Sequence, residues 1–425
     1  MKRASRLVPA AAVVALLTAP LAVLADGQAP SLDEVMAAAL SGSPDVLAAR
    51  AGTTRAGAQV SQAQAAGRGM VRLQGQVTQG YSDFGPGYGS ITPRTVSLGY
   101  ERTLFDGGAT QAGLTAARAG QTASTAQETL IRAQLSAAVA GAWMQLAVAS
   151  AGVTRSEALL TAVARFERDA TLQFEAGEVP RSVVAQATAR RARAEAGLEA
   201  ARGARDIARS SLLQLTGLEI GTAGLPARLP PIPPDLEAAR ALLAGHPALT
   251  AASAEVDAAR ATITQAEGRA GPVAVGSVRA VHVRDEVLPG YRNDGVEAQL
   301  RVSVPLWDGG ARQASAAVTR ADLQAAEARR TGVMRLLEDG LRQAYVARAT
   351  AQGAVRAAAA GVEASRIALT SMEAEFRVGE RPMIDVLDAL ADLAAAEAAH
   401  HDARAAFLLS HWQINAALGR EASAT

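Results

Sequence analysis

Cysteine is absent from the 425-residue sequence, which excludes disulfide scaffolds, thiol catalysis, Cys-ligated zinc, iron–sulfur clusters and a lipidated N-terminal cysteine. Lysine is nearly absent too. Lys2 is the one lysine among 42 basic side chains, set against 41 acidic ones. That balance creates no surface-wide field for phosphate, so nucleic acid is not an expected partner. Aromatic residues are scarce, at 3 Trp, 5 Tyr and 6 Phe, whereas alanine occurs 102 times. Such a chain lacks the bulk for a thick globular core, yet at 49% hydrophobic residues it is too apolar to stay disordered. Sites for chemistry are also missing. His400, His401 and His411 have no HExxH or other ligand spacing around them, and no Ser/His/Asp arrangement stands out. No catalytic activity, metal or cofactor is expected.

At the N-terminus, Lys2, Arg3 and Arg6 precede an apolar run from Leu7 to Ala25, with Val23 and Ala25 suited to cleavage before Asp26. Residues 1–25 read as a signal peptide. A retained membrane anchor is the competing reading, opposed by Pro9 and Pro20. Removing the segment takes away three basic groups and no acidic one, leaving 39 against 41. The expected product is a mildly acidic exported protein.

The rest is a duplication. Residues 104–119 (LFDGGATQAGLTAARA) and 306–321 (LWDGGARQASAAVTRA) share nine identities in sixteen at an offset of 202. The same offset pairs FEAGEVP from Phe174 with FRVGERP from Phe376, and Gly217 with Gly419. Two structural repeats, 26–225 and 235–425, are expected on either side of the proline-rich linker 226–234 (PARLPPIPP), which cannot continue a helix.

Alanine vanishes altogether between residues 67 and 108, where Gly, Thr, Tyr and Val take over. From Val71 the odd positions are mostly apolar and the even ones polar. Val296, Ala298, Leu300, Val302, Val304 and Leu306 alternate with Glu297, Gln299, Arg301 and Ser303 in the second half. One hairpin is expected in each repeat, at about 71–105 and about 273–306, with arms roughly 10 residues long, the length of a tilted outer-membrane strand. Seven of the 14 aromatic residues fall in these segments or, as Trp307 does, directly at their end, and Phe105 and Trp307 stand at equivalent strand ends as candidates for an interfacial girdle. A small soluble sandwich is the competing reading, supported by Arg102 and Arg279, both assigned to apolar faces.

Residues 109–176 and 311–378 run without proline, each long enough for roughly 100 Å of helix. Segments 45–69 with 180–217, and 247–270 with 381–419, match that length when stacked end to end. Long antiparallel pairs turning near 174–180 and 376–382 follow. The uncharged stretch Ala133–Thr154 is nominally long enough to span a bilayer, but Gln134, Ser136, Gln145 and Ser150 make it weakly lipophilic, and coiled-coil packing is expected. Four membrane strands cannot close a barrel alone, so the chain must oligomerise.

The duplicated strand-to-helix motif (SLGYERTLFDGG and AQLRVSVPLWDGG), the two turns FEAGEVPRSVVAQA and FRVGERPMIDVLDA, and the signal peptide together resemble the TolC family over essentially the whole mature chain. The resemblance implies a mainly α fold with membrane β. A homotrimer would form a twelve-stranded outer-membrane barrel continued by a long periplasmic α-helical tunnel. It also implies a passive duct in a tripartite system, for type I protein secretion or multidrug efflux, with a periplasmic adaptor and an inner-membrane transporter as partners. Asp385 and Asp388 then match the ring of aspartates at the periplasmic entrance, and Phe376 and Arg381 its closing network. Phe174, Gly177, Val179 and Gly379 lie at tips that would meet the adaptor. Positions 385, 388 and 392 place three carboxylates on one helix face. Where the best-known members have an acid to pair with the arginine, this chain has Val183, leaving Glu175 or Glu178 as alternatives. A soluble periplasmic coiled-coil adaptor or structural protein remains the rival reading.

Overall fold

The computed structural model describes residues 30–83, 88–286 and 290–422. The expected signal peptide and the tips of both hairpin loops lie outside the described residues.

Two helices of 67 residues form the spine, α3 (Ala109–Glu175) and α7 (Ala311–Arg377). At 1.5 Å per residue each is about 100 Å long. Shorter helices run beside them in pairs: α1 (Leu32–Gly42), α2 (Pro44–Ala66) and α4 (Arg181–Thr216) in the first half, then α5 (Leu236–Ala241), α6 (Pro247–Arg269) and α8 (Met383–Ala417) in the second. Near the sheet, α3 packs against α2 and α6, while α7 packs against α6; farther down, α3 lies between α4 and α8, and α8 also packs on α7. Proline sets the start of α2, α6, α4 and α8, as Pro44 and Pro247 occupy first-turn positions and Pro180 and Pro382 are the N-caps.

The core sits at mid-height. Trp143, Leu146, Leu212 and Trp412 are buried with Leu32, Val35 and Met36 of α1, so the uncharged stretch of α3 is packed inside the helical body. The proline-rich connection is tied down there as well. Trp143 Nε1 donates to Gly224 O at 2.8 Å, Asn415 Nδ2 to Pro231 O at 3.2 Å, and the Tyr345 hydroxyl to Pro233 O at 2.9 Å.

At one end lies a four-stranded antiparallel sheet in the order β1–β4–β5–β6: β1 (Met70–Val77), β4 (Arg94–Phe105), β5 (Val273–Arg284) and β6 (Arg292–Ser303). The first hairpin differs from the continuous arms expected. Its distal part breaks away as a two-stranded ladder, β2 (Gly80–Asp83) with β3 (Tyr88–Ile91). Trp307 also differs. Phe105 is the last residue of β4, but β6 stops at Ser303, which leaves Trp307 beyond the strand end, 87% exposed.

The junction from strand to helix explains why DGG recurs. Gly107 and Gly108 both take positive φ, 62° and 87°, as do Gly309 and Gly310 at 64° and 92°. Two successive residues in the left-handed region require glycine. Asp106 completes the turn by accepting from Gly108 N–H at 3.1 Å, Thr110 N–H at 2.7 Å and Thr110 Oγ1 at 2.5 Å. Burial alone would raise the Asp106 pKa, but those hydrogen bonds outweigh it and hold the carboxyl below its ordinary value.

Candidate functional site

Two places in this fold could act on a passing molecule, the inner face of the sheet and the far ends of the long helices. Strand register assigns the faces. Leu73 lies opposite Leu98, Leu98 opposite Ala280, and Ala280 opposite Val296, so one face carries an apolar row across all four strands. Leu73, Val296 and Leu300 on that face are each more than 60% exposed. Bare aliphatic surface of this extent belongs against lipid. On the other face Arg72, Gln74, Glu101, Arg279, Glu297 and Arg301 line a recess of about 750 Å³. Arg279 Nη2 donates to Glu297 Oε2 at 3.0 Å. The placement of Arg279 on the apolar face is thereby corrected: odd and even positions of β5 are both rich in Val and Ala, and only its pairing with β4 and β6 decides its orientation. Arg102, opposite Gly276, does stand on the apolar face.

At the other end, α3 turns into α4 and α7 into α8 through the same geometry. Gly177 (φ 74°) and Gly379 (φ 80°) carry the left-handed residue. Glu178 N–H bonds back to Gln173 O at 2.8 Å and Glu380 N–H to Glu375 O at 3.0 Å, which closes the last carbonyls of each helix. Phe174 is 42% exposed, Val179 half-buried and Val378 exposed. No atom lies within 4 Å of where a Cβ on either glycine would stand. Both turns are open surfaces.

A small apolar cluster joins the two turns. Ala170, Ala187 and Met383 are buried there, with Phe166, Val183 and Phe376 packed on them. Val183 therefore packs on the same apolar cluster as Phe376 rather than supplying a charge. Arg381 finds its carboxylates on its own hairpin: Nε donates to Glu375 Oε2 at 2.8 Å and Nη1 to Asp385 Oδ2 at 3.2 Å. Neither Glu175 nor Glu178, the expected substitutes, takes that role. Hydrogen bonds from Arg381 to Asp385 and Glu375 raise its pKa further, so it stays charged.

Asp388 is paired as well, with Arg190 of α4. On the face expected to carry three carboxylates, Asp385 and Asp388 are ion-paired and Asp392 is exposed. The next residue of α4, Arg191, bridges through Nη1 to Glu167 Oε2 at 3.1 Å. Hydrogen bonds from Thr188 and Arg191 hold the Glu167 carboxyl below its ordinary value. The partnership between Arg190 and Asp388 has no signature in the sequence, because it joins the two halves of the chain. Among the described residues, no three His, Asp or Glu side chains gather in a way that could hold a metal ion.

The model of the outer membrane efflux protein family matches the chain twice, over residues 35–218 and 238–420. The chain belongs to the outer membrane efflux protein family. A curated relative, the outer membrane efflux protein BepC of Brucella suis, is 30% identical over 342 residues, covering 77% of this chain and 73% of BepC. Among solved structures, a membrane protein from Pseudomonas aeruginosa superposes with TM-score 0.83 at 19% identity, over 92% of this chain and 90% of that one. The outer membrane protein VceC of Vibrio cholerae does so with TM-score 0.80 at 21% identity, over 92% and 96%. The resemblance drawn from the DGG and turn motifs thus names the right family and fold. Like its family, the chain is an outer-membrane protein that extends into the periplasm.

Proposed function

We propose that this efflux protein is a passive duct, the outer-membrane component of a tripartite export system, and that it works as a homotrimer without catalytic chemistry of its own. One observation carries this reading. The sheet has one face for lipid and one for water, yet among the described residues no strand pairs with the outer edge of β1 or of β6. Unpaired edges within a bilayer are untenable, and three copies of four strands close a barrel wide enough to leave a lumen. The helices support the same arrangement. Val318, Leu336, Val346 and Ile367 of α7 are exposed along one flank, and Leu47 of α2 and Ile207 of α4 along the other. Packing α7 of one copy against α2 and α4 of the next would cover both flanks and continue the barrel as a helical tunnel.

Phe376 and Arg381 form the constriction at the periplasmic entrance in this reading, and Asp385 and Asp388 its charged ring. Phe174, Gly177, Val179 and Gly379 face a periplasmic adaptor that links the duct to an inner-membrane transporter, serving multidrug efflux or type I secretion. Two measurements test it. Mature protein should fractionate with outer membranes and run as a trimer in detergent; a soluble periplasmic monomer would overturn the duct. Gly177→Trp and Gly379→Trp should abolish export while trimer persists in the outer membrane. The Cβ added at either position meets no atom within 4 Å, so the substitution points at a partner and not at the fold, apart from about 1–2 kcal/mol of strain at positive φ. Unchanged export in both variants would remove the turns as the docking site.

A further inference from the structure

The lipid-facing side of the sheet ends in a row of arginines. Arg94 of β4 lies directly opposite Arg284 of β5, and Arg284 directly opposite Arg292 of β6. All three are exposed. Strands are about 4.8 Å apart, so three guanidinium groups stand within roughly 10 Å of one another. Like charges directly opposite across a ladder are destabilising unless something anionic lies between them. Within the strands that face has one carboxylate, Asp294, and it is engaged twice, by Arg292 Nε at 2.9 Å and by His282. Arg94 and Arg284 have no carboxylate partner among the described residues.

The position of the row identifies its complement. Residues Arg94 and Phe105 are the two ends of β4, 12 residues long. At about 3.3 Å per residue and a tilt near 45°, they are roughly 26 Å apart along the membrane normal, the height of the apolar band. Phe105 is at the end joined to the helices, so the arginines lie at the outer rim, where headgroups of the outer leaflet begin. The register also places them on the same face as Leu98 and Val296, turned toward lipid and away from the recess of Arg72 and Arg301.

We propose that Arg94, Arg284 and Arg292 form a binding site for the phosphate groups of an outer-leaflet glycolipid. Each guanidinium fork donates to two phosphate oxygens, and a bisphosphorylated headgroup could span neighbouring arginines. The row neutralises its own repulsion only when lipid is present, which ties the distal sheet to the outer leaflet. This inference rests on the outer-membrane location and not on the export role.

The test uses delipidated protein purified from outer membranes in detergent, with retention of added lipid A read by native mass spectrometry. Lipid A carrying two phosphates should be retained and the dephosphorylated form lost. Arg94→Gln with Arg284→Gln should weaken retention about tenfold or more, the weight of two arginine–phosphate contacts. Arg72→Gln with Arg301→Gln, on the water-facing side, should leave it unchanged. Equal retention by the first pair, or equal retention of dephosphorylated lipid, would overturn the site. Complete release by inorganic phosphate alone would make it a free-anion site and overturn the lipid assignment. Should the glutamine pair fail to reach the outer membrane, Arg94→Lys with Arg284→Lys keeps the charge and must still retain lipid, or the proposal fails. Conductance of wild-type protein in neutral planar bilayers reads the duct separately.

Discussion

Asp385 and Asp388 illustrate how far a residue's role depends on partners that a sequence does not display. Their helical spacing marks a shared face, but each spends its charge on an arginine, Arg381 or Arg190. Such exposed pairs add little net stability. Replacing both with Asn removes two carboxylates and leaves Arg190 without its partner, while Arg381 keeps Glu375, so the local field should turn more positive instead of merely weakening. Asp385→Asn with Asp388→Asn is expected to assemble normally, lose cation preference and escape block by di- or trivalent cations added from the periplasmic side. Planar-bilayer conductance measures each effect, and wild-type selectivity in the double variant would take these residues out of the entrance. Glu167 behaves differently with pH. Its pKa is lowered in the folded chain, so its contribution is present above the ordinary glutamate value and lost as pH falls through the lowered one. Glu167→Gln should therefore be less stable than wild type at pH 7, with the two converging at an acid pH below the lowered pKa. Denaturant midpoints at both pH values check this.

At the scale of elements, most of the architecture is legible because it is written in periodicity and punctuation. Helices expected over 109–176 and 311–378 end at Glu175 and Arg377 in the structure. Proline and glycine mark those ends physically, so the boundaries are readable. The alternation of β6 is equally plain, whereas β5 is apolar on both sides and its orientation emerges only from its neighbours. The β2–β3 break carries no hydrophobic signal at all. Nor does composition reveal a tight joint between the halves. A Cβ on Gly268 of α6 would stand 2.9 Å from Asp106 O, Gly107 O and Ala109 N, all backbone atoms of the first DGG turn. Backbone cannot rotate aside as a side chain can. Gly268→Ala, which gains helix propensity and would stabilise an open helix, should here cost about 1–3 kcal/mol and loosen the junction of the repeats. Thermal unfolding and protease sensitivity near residue 107 would register the loss. A stabilised variant would mean that the two segments do not touch.

For the whole molecule, the duplication carries information about the contact between copies. Strand β4 of the first repeat pairs with β5 of the second, Leu98 opposite Ala280. The DGG motif places β6 at an offset of 202 from β4, and α2 and α6, both 23 residues beginning at Pro44 and Pro247, place β5 at an offset of 203 from β1. Applying both offsets to the same pairing sets Leu300 of β6 opposite Val77 of β1 in the next copy. Parity supports the match, since Leu300 and Val77 both lie on the lipid-facing side. Because the chain has no cysteine, the ladder can be probed without background. Leu300→Cys with Val77→Cys should yield cross-linked dimers and trimers on a denaturing gel after treatment with a short bis-thiol reagent. Leu300→Cys with Leu73→Cys keeps the same face but slips four residues, about 13 Å along the strand, and should not link. Linking by the slipped pair alone would mean that the two repeats do not pair equivalently, and linking by neither would mean that β6 and β1 do not close the barrel.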